Sequence, residues 1–289
     1  MENLRSRGIM VWCLWLNDIL YGLNHDLAVT GFSSRELWTK MPCSNYEFQE
    51  QYQNLMRDSQ SSWHLPSDMS ASNDGFLLLM AIMSDLVYIQ RALGPFASSS
   101  HRSPSAGQII PTKHFIPLSP QSEINKMHDT LSRALDKWIR HFQSHVSSDI
   151  MAFYFYIRLH LCCQRILDLP RMAGYGLTVD APRATTHPPD VSDQAAGLAW
   201  QVLDSAVARN ATSASEALCP IWLPIVVFHA SLVVWAHQKS HDALDGRTYS
   251  SRRVLTAFKV ELEAMPWPCC PTMVATLERL MASGVAHNC

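Results

Sequence analysis

Seven apolar residues, Ile124, Met127, Leu131, Leu135, Trp138, Phe142 and Val146, follow one another at steps of 3, 4, 4, 3, 4 and 4. That spacing puts one apolar stripe on an α-helix and has no counterpart in a period-two strand. Pro120 stands where such a helix would begin, a position that tolerates its missing N–H. The spacing recurs at Phe76, Leu79, Met83, Leu86, Ile89 and Leu93, where Asn73 or Asp74 would open the helix and Gly94-Pro95 would stop it. Asp149 to Leu169 reads as a further helix, with Ser147 or Ser148 as cap and Pro170 as stop. An alanine-rich helix follows Asp190 or Ser192, carrying Ala195, Leu198, Ala199, Val202 and Ala206. Two more are expected over Arg252 to Ala264 and after the Trp267-Pro-Cys-Cys-Pro271 corner, and Asn45 could cap a short one bearing Phe48 and Tyr52.

No stretch alternates with period two and carries hairpin turn residues, so the fold class is all-α. The expectation is one large multi-helix domain over residues 1–289, interrupted by two Pro- and Ser-rich loops at about 94–120 and 170–190. Trp12, Trp15, Phe76, Leu79, Met83, Trp138, Phe142 and Trp235 are expected in its core, and residues 98–119 are expected to be its least ordered stretch. Hydrophobic residues make up 47% of the chain, enough for a substantial core.

Two segments imitate export or membrane signals. Arg5 and Arg7 precede the apolar run Ile9 to Leu16, but Asn17-Asp18 ends it with no cleavage site. Ala217 to Ala236 has no formal charge over a membrane-spanning length, yet contains Pro224, His229 and Ser231 and reads better as a buried core helix. The net charge is −2 with scattered basic residues, so the chain offers no face for a phosphate backbone.

Chemistry-bearing patterns are sparse. His141 and His145 would share one helix face but lack a third metal ligand, and read as solvated positions. His160 lies near Cys162 and Cys163, whose adjacency turns the thiols to different faces. The eight cysteines form neither a zinc module nor a disulfide framework. Asp18, Asp85, Asp136 and Asp204 are single acids, read as surface or capping groups. No nucleophile elbow or phosphate-binding loop occurs. No catalytic, cofactor-binding or metal-binding residue is therefore assigned. An all-α enzyme using an isolated acid or His in an apolar pocket, or a membrane-anchored protein, are the alternatives.

Arg7, Trp12, Leu14, Trp15 and Asp18, then Leu27 to Val29, then Lys40-Met41-Pro42-Cys43 with Tyr46 and Phe48, carry a more specific pattern. It resembles the regulatory middle homology region of fungal transcription factors. Trp12 and Asp18 have that family's spacing, and Met41-Pro42-Cys43 is similar to its Leu-Pro-Cys element. Ile19 stands where the family usually has Arg, and Leu27 lacks the usual preceding Arg-Pro. The resemblance implies a nuclear regulatory domain, not an enzyme, acting through intramolecular, partner or effector contacts. Implied partners are regulatory proteins or the transcription machinery, with a small-molecule effector and a homodimer as further candidates. The family's zinc clusters or zinc fingers cannot be assembled here. No cofactor is expected in this chain, and zinc and DNA contacts would belong to an upstream module absent from this sequence. Asp18 and Arg7 are expected to serve the architecture of the opening helix.

Overall fold

The computed structural model describes residues 14–15, 18–19, 22, 40–41, 43–57, 65–98, 119–176, 189–212, 219–245 and 250–283. Of these, 77% are helical and none forms a strand, so the chain is all-α. Among the described residues nine bounded α-helices follow in order. They are α1 (Phe48–Met56), α2 (Phe76–Ser98), α3 (Pro120–Phe142), α4 (Ser148–Cys162), α5 (Leu169–Met172), α6 (Asp193–Thr212), α7 (Leu223–Asp245), α8 (Ser250–Glu263) and α9 (Cys270–Ser283). Within this architecture contacts gather into two compact units, one built on α1–α3 and ending at His145, the other running from Val146 through α4–α9.

In the first unit the stripe on α3 does what its spacing demands. Ile124, Leu131, Leu135, Trp138 and Phe142 are buried while Arg133, Asp136 and Arg140 face water. The helix ends at Phe142, so Val146 is only half-buried and lies beyond it. His145 N–H turns back to the Phe142 carbonyl at 2.9 Å, closing the end of the helix. α2 is entered through a π-helical turn, Ala71–Gly75. Trp138 donates its indole N–H to the Gly75 carbonyl at 2.7 Å, and a Cβ on Gly75 would lie 3.2 Å from the Phe142 ring. A side chain there would press on the ring, which would have to give by a few tenths of an ångström. Leu79 and Met83 are fully buried, whereas Phe76, the first residue of the α-helix, is only half-buried. α2 also continues through Gly94-Pro95 to Ser98, because proline's fixed φ is helical and costs the last turns only a hydrogen bond. Ala71–Leu93 is long and apolar enough to cross a membrane, with mean hydropathy 1.6, but 72% of that window is buried inside the protein.

The second unit surrounds α7. Trp222 through Ala236 is buried without a break, including His229 and Ser231, and Trp235 is 6% exposed. Ala195, Ala199 and Ala206 on α6 are all fully buried, and such small side chains let the helix lie close to α4 and α7. The Ser192 hydroxyl accepts the Ala195 N–H at 3.2 Å, capping α6 as its sequence suggests. Leu255, Phe258 and Leu262 from α8 and Met273 and Leu277 from α9 complete this core.

α4 stops at Cys162, well short of Leu169. A 3₁₀ turn, Ile166–Asp168, then leads into α5, in which Pro170 occupies the first turn. This proline starts a helix rather than ending one, consistent with its preference for positions whose N–H is unused. Gly174 and Gly176 follow at φ 77° and 72°, left-handed values that a side chain would oppose. Of the loop expected over 94–120, residues 99–118 lie outside the described residues, as do 177–188 of the second loop.

Candidate functional site

The motif region begins with helical residues that share a face: Trp15, Ile19 and Gly22 recur at steps of four and three. Trp15 and Ile19 are buried, and Trp15 meets Phe48 edge-on with ring centres 6.2 Å apart. Phe48 in turn stacks on Tyr52 at 5.8 Å. Arg91 from α2 donates to the Gly22 carbonyl at 3.0 Å. The Lys40 to Cys43 element is part of the same construction. Lys40 bridges to Glu47 antiparallel, and Met41 N–H donates to the Tyr46 carbonyl at 2.8 Å, closing a tight turn over Cys43 to Tyr46. Met41 is buried and Cys43 is exposed.

A carboxylate ties this turn to α2. Asp74, fully buried in the π-helical turn, accepts the Cys43 N–H on Oδ1 at 3.1 Å and the Ser70 N–H on Oδ2 at 3.3 Å. Two backbone donors are thus satisfied by one acid, whose burial depends on them. At the exposed edge of the turn the Tyr46 hydroxyl donates to Asp68 at 2.9 Å, and that carboxylate raises the phenol's pKa.

Of the motif residues, Cys43 is brought to Asp74 and Trp15 to Phe48, Met41 is buried, and Asp18 is half-buried rather than enclosed. Arg7, Trp12 and Pro42 lie outside the described residues. Asp136 and Asp204 are exposed as expected, but Asp85 is not a surface acid. It is buried on α2 and accepts the Tyr52 hydroxyl proton at 2.8 Å. Between α1 and α3 lies an open cleft of about 520 Å³, lined by Gln49, Tyr52, Met56, Arg57, Lys126 and Met127 among others. Its wall mixes cationic, amide and thioether groups with the Glu123 carboxylate, which pairs with Lys126 at 3.1 Å.

No family model, no curated protein and no solved structure matches the chain.

Other candidates resolve into packing. His145 lies past the end of α3 and is exposed, so it shares no helix face with His141, whose ring sits edge-on to Phe142 at 4.5 Å. Cys163 is buried at the end of α4, where desolvation pushes its thiol up to about 11. Among the described residues no group of three or more His, Cys, Asp or Glu side chains is arranged to hold a metal ion.

The second unit holds a polar pair without a local sequence signal. The Tyr156 hydroxyl on α4 and His229 Nδ1 on α7 share a hydrogen bond of 2.6 Å, with the imidazole tautomer deciding the donor. His160 stands edge-on to the Tyr156 ring at 4.6 Å. Burial lowers the His229 pKa to about 4 and raises that of Tyr156 well above its usual value. Both side chains are neutral at pH 7.

Proposed function

We propose that the chain is a nuclear regulatory domain of the fungal transcription-factor type, working by partner and effector contacts rather than by catalysis. The observation that carries this reading is the hydrogen bond by which the Cys43 N–H is held by buried Asp74, in the π-helical turn that enters α2. In this reading Met41 and Cys43 serve architecture, their backbone N–H groups being taken up by the Tyr46 carbonyl and the Asp74 carboxylate. A small-molecule effector has a receptor in the cleft between α1 and α3, and would act by binding one conformational state better than another. Regulatory proteins or the transcription machinery are the proposed partners, with DNA reached only through a separate module, since a net charge of −2 supplies little phosphate affinity.

The test fuses the intact chain to an unrelated DNA-binding module and reads a reporter under the matching operator in fungal cells. The expected result is nuclear fusion protein and reporter output changed several-fold relative to the module alone. Unchanged output from a folded, nuclear fusion protein would overturn the proposal.

A further inference from the structure

The cleft between α1 and α3 is walled by two matching helix stripes. Gln49, Tyr52, Gln53 and Met56 line it from α1, and Glu123, Lys126, Met127 and Thr130 line it from α3. Each set recurs at i, i+3, i+4 and i+7, the spacing of one helix face, so the recess follows both helices for about two turns. Arg57, the C-cap of α1, completes the first wall.

Several polar groups of these walls are already engaged. Lys126 pairs with Glu123 at 3.1 Å, the Thr130 hydroxyl donates to the Lys126 carbonyl at 3.0 Å, and the Tyr52 hydroxyl donates to Asp85 at 2.8 Å. The exposed Arg57 guanidinium makes no hydrogen bond or ion pair among the described residues. With Glu123 balanced by Lys126, Arg57 is the uncompensated charge of the cleft. Lys137 of α3 donates to the Arg57 carbonyl, so a further cation covers the C-terminal end of α1, where the helix dipole alone would oppose an anion. Beside this cationic end stand two thioethers, Met56 on one wall and Met127 on the other.

We propose that this cleft binds an aryl-alkanoic carboxylate, a small anion whose aromatic ring lies between Met56 and Met127 and whose carboxylate pairs with Arg57. The guanidinium fork matches a carboxylate with two parallel hydrogen bonds, a geometry that a neutral alcohol cannot reproduce. Thioether sulfurs favour aromatic rings, and the unbranched methionine side chains adapt to the ring they meet. Because Arg57 is exposed, its ion pair contributes modestly and the ring contacts supply the remainder. Met56 adjoins Arg57 in sequence, so a short alkyl linker joins ring to carboxylate. This names the chemistry of the effector placed in the same cleft above, and rests on that reading for its biological sense.

The probe is hydrocinnamate, titrated at pH 7 into the intact chain isotope-labelled at its methionine methyl groups and followed by NMR. The expected result is a saturable ring-current shift of the Met56 and Met127 methyl signals, assigned through Met56→Leu and Met127→Leu. Hydrocinnamyl alcohol, with the same ring and no charge, should bind about fivefold more weakly, and Arg57→Gln should weaken hydrocinnamate by a similar factor. The methyl spectrum of Arg57→Gln reports at once whether that variant is folded. Unmoved Met56 and Met127 signals at millimolar hydrocinnamate, equal affinity for the alcohol, or undiminished binding by a folded Arg57→Gln chain would overturn the proposal. Saturable shifts beside a silent reporter fusion would support the site and overturn the regulatory reading, whereas unmoved signals beside an active reporter would overturn the site alone.

Discussion

In the first unit the buried polar group beside the motif is an acid, Asp74, and its partners are the backbone N–H groups of Cys43 and Ser70. In the second unit it is a neutral imidazole, His229, whose partner is the hydroxyl of Tyr156. The first arrangement joins chain segments that are 31 residues apart and uses donors present at almost any residue. The second joins two side chains 73 residues apart and depends on both identities. Acid should therefore act on the second unit, where burial opposes protonation of the imidazole.

The largest expected effect is from Asp74→Ala. Removing a fully buried acid leaves two amide donors without their acceptor and should destabilise the first unit by about 3 kcal/mol. Denaturant melts followed by Trp fluorescence check this, and an unchanged midpoint would remove Asp74 from the comparison. A similar effect is expected from pH in the second unit. His229 has a folded pKa of about 4 against about 6.5 unfolded, so the unfolded state binds the extra proton between these values. Its contribution is intact above pH 6.5 and falls by about 3 kcal/mol as pH drops to 4. His229→Phe should flatten that dependence in pH-dependent denaturant melts, although the new side chain also repacks the core.

Tyr156→Phe comes next, at about 1–2 kcal/mol, because it removes the hydroxyl and leaves His229 Nδ1 buried without it. Wild type and variant should also converge at high pH, since the raised Tyr156 pKa means stability is lost as pH climbs above the ordinary phenol value. The smallest effect is expected for Gly75→Ala, roughly 1 kcal/mol from crowding a Cβ against the Phe142 ring, read as a reduced melting temperature.

Helical periodicity made α3 and α6 legible because apolar spacing agrees with the start residue in both, Pro120 in the first turn of α3 and Ser192 capping α6. Where helices end was less legible. Pro95 lies inside α2 and Pro170 opens α5, so proline marked neither stop, since it tolerates helical φ and lacks only an N–H. Asp85 had a usable signal that its charge concealed. Leu78, Ile82 and Asp85 recur at steps of four and three, and all three are buried. The Asp74 to Cys43 bond and the Tyr156 to His229 bond had none, because each is made by tertiary packing between distant segments. The sequence pattern singled out Met41 and Cys43, but carried no sign that a later acid holds the Cys43 N–H.

Amide hydrogen exchange of the intact chain at pH 7 tests that tie most directly. The exposed Cys43 side chain alone would suggest a rapidly exchanging turn. The hydrogen bond to buried Asp74 instead predicts that the Cys43 and Ser70 amides exchange slowly, with protection comparable to that of Met41, whose N–H is held by Tyr46. Cys43 exchanging at the rate of an unprotected amide, while Met41 stays protected, would contradict the docking of the motif onto α2.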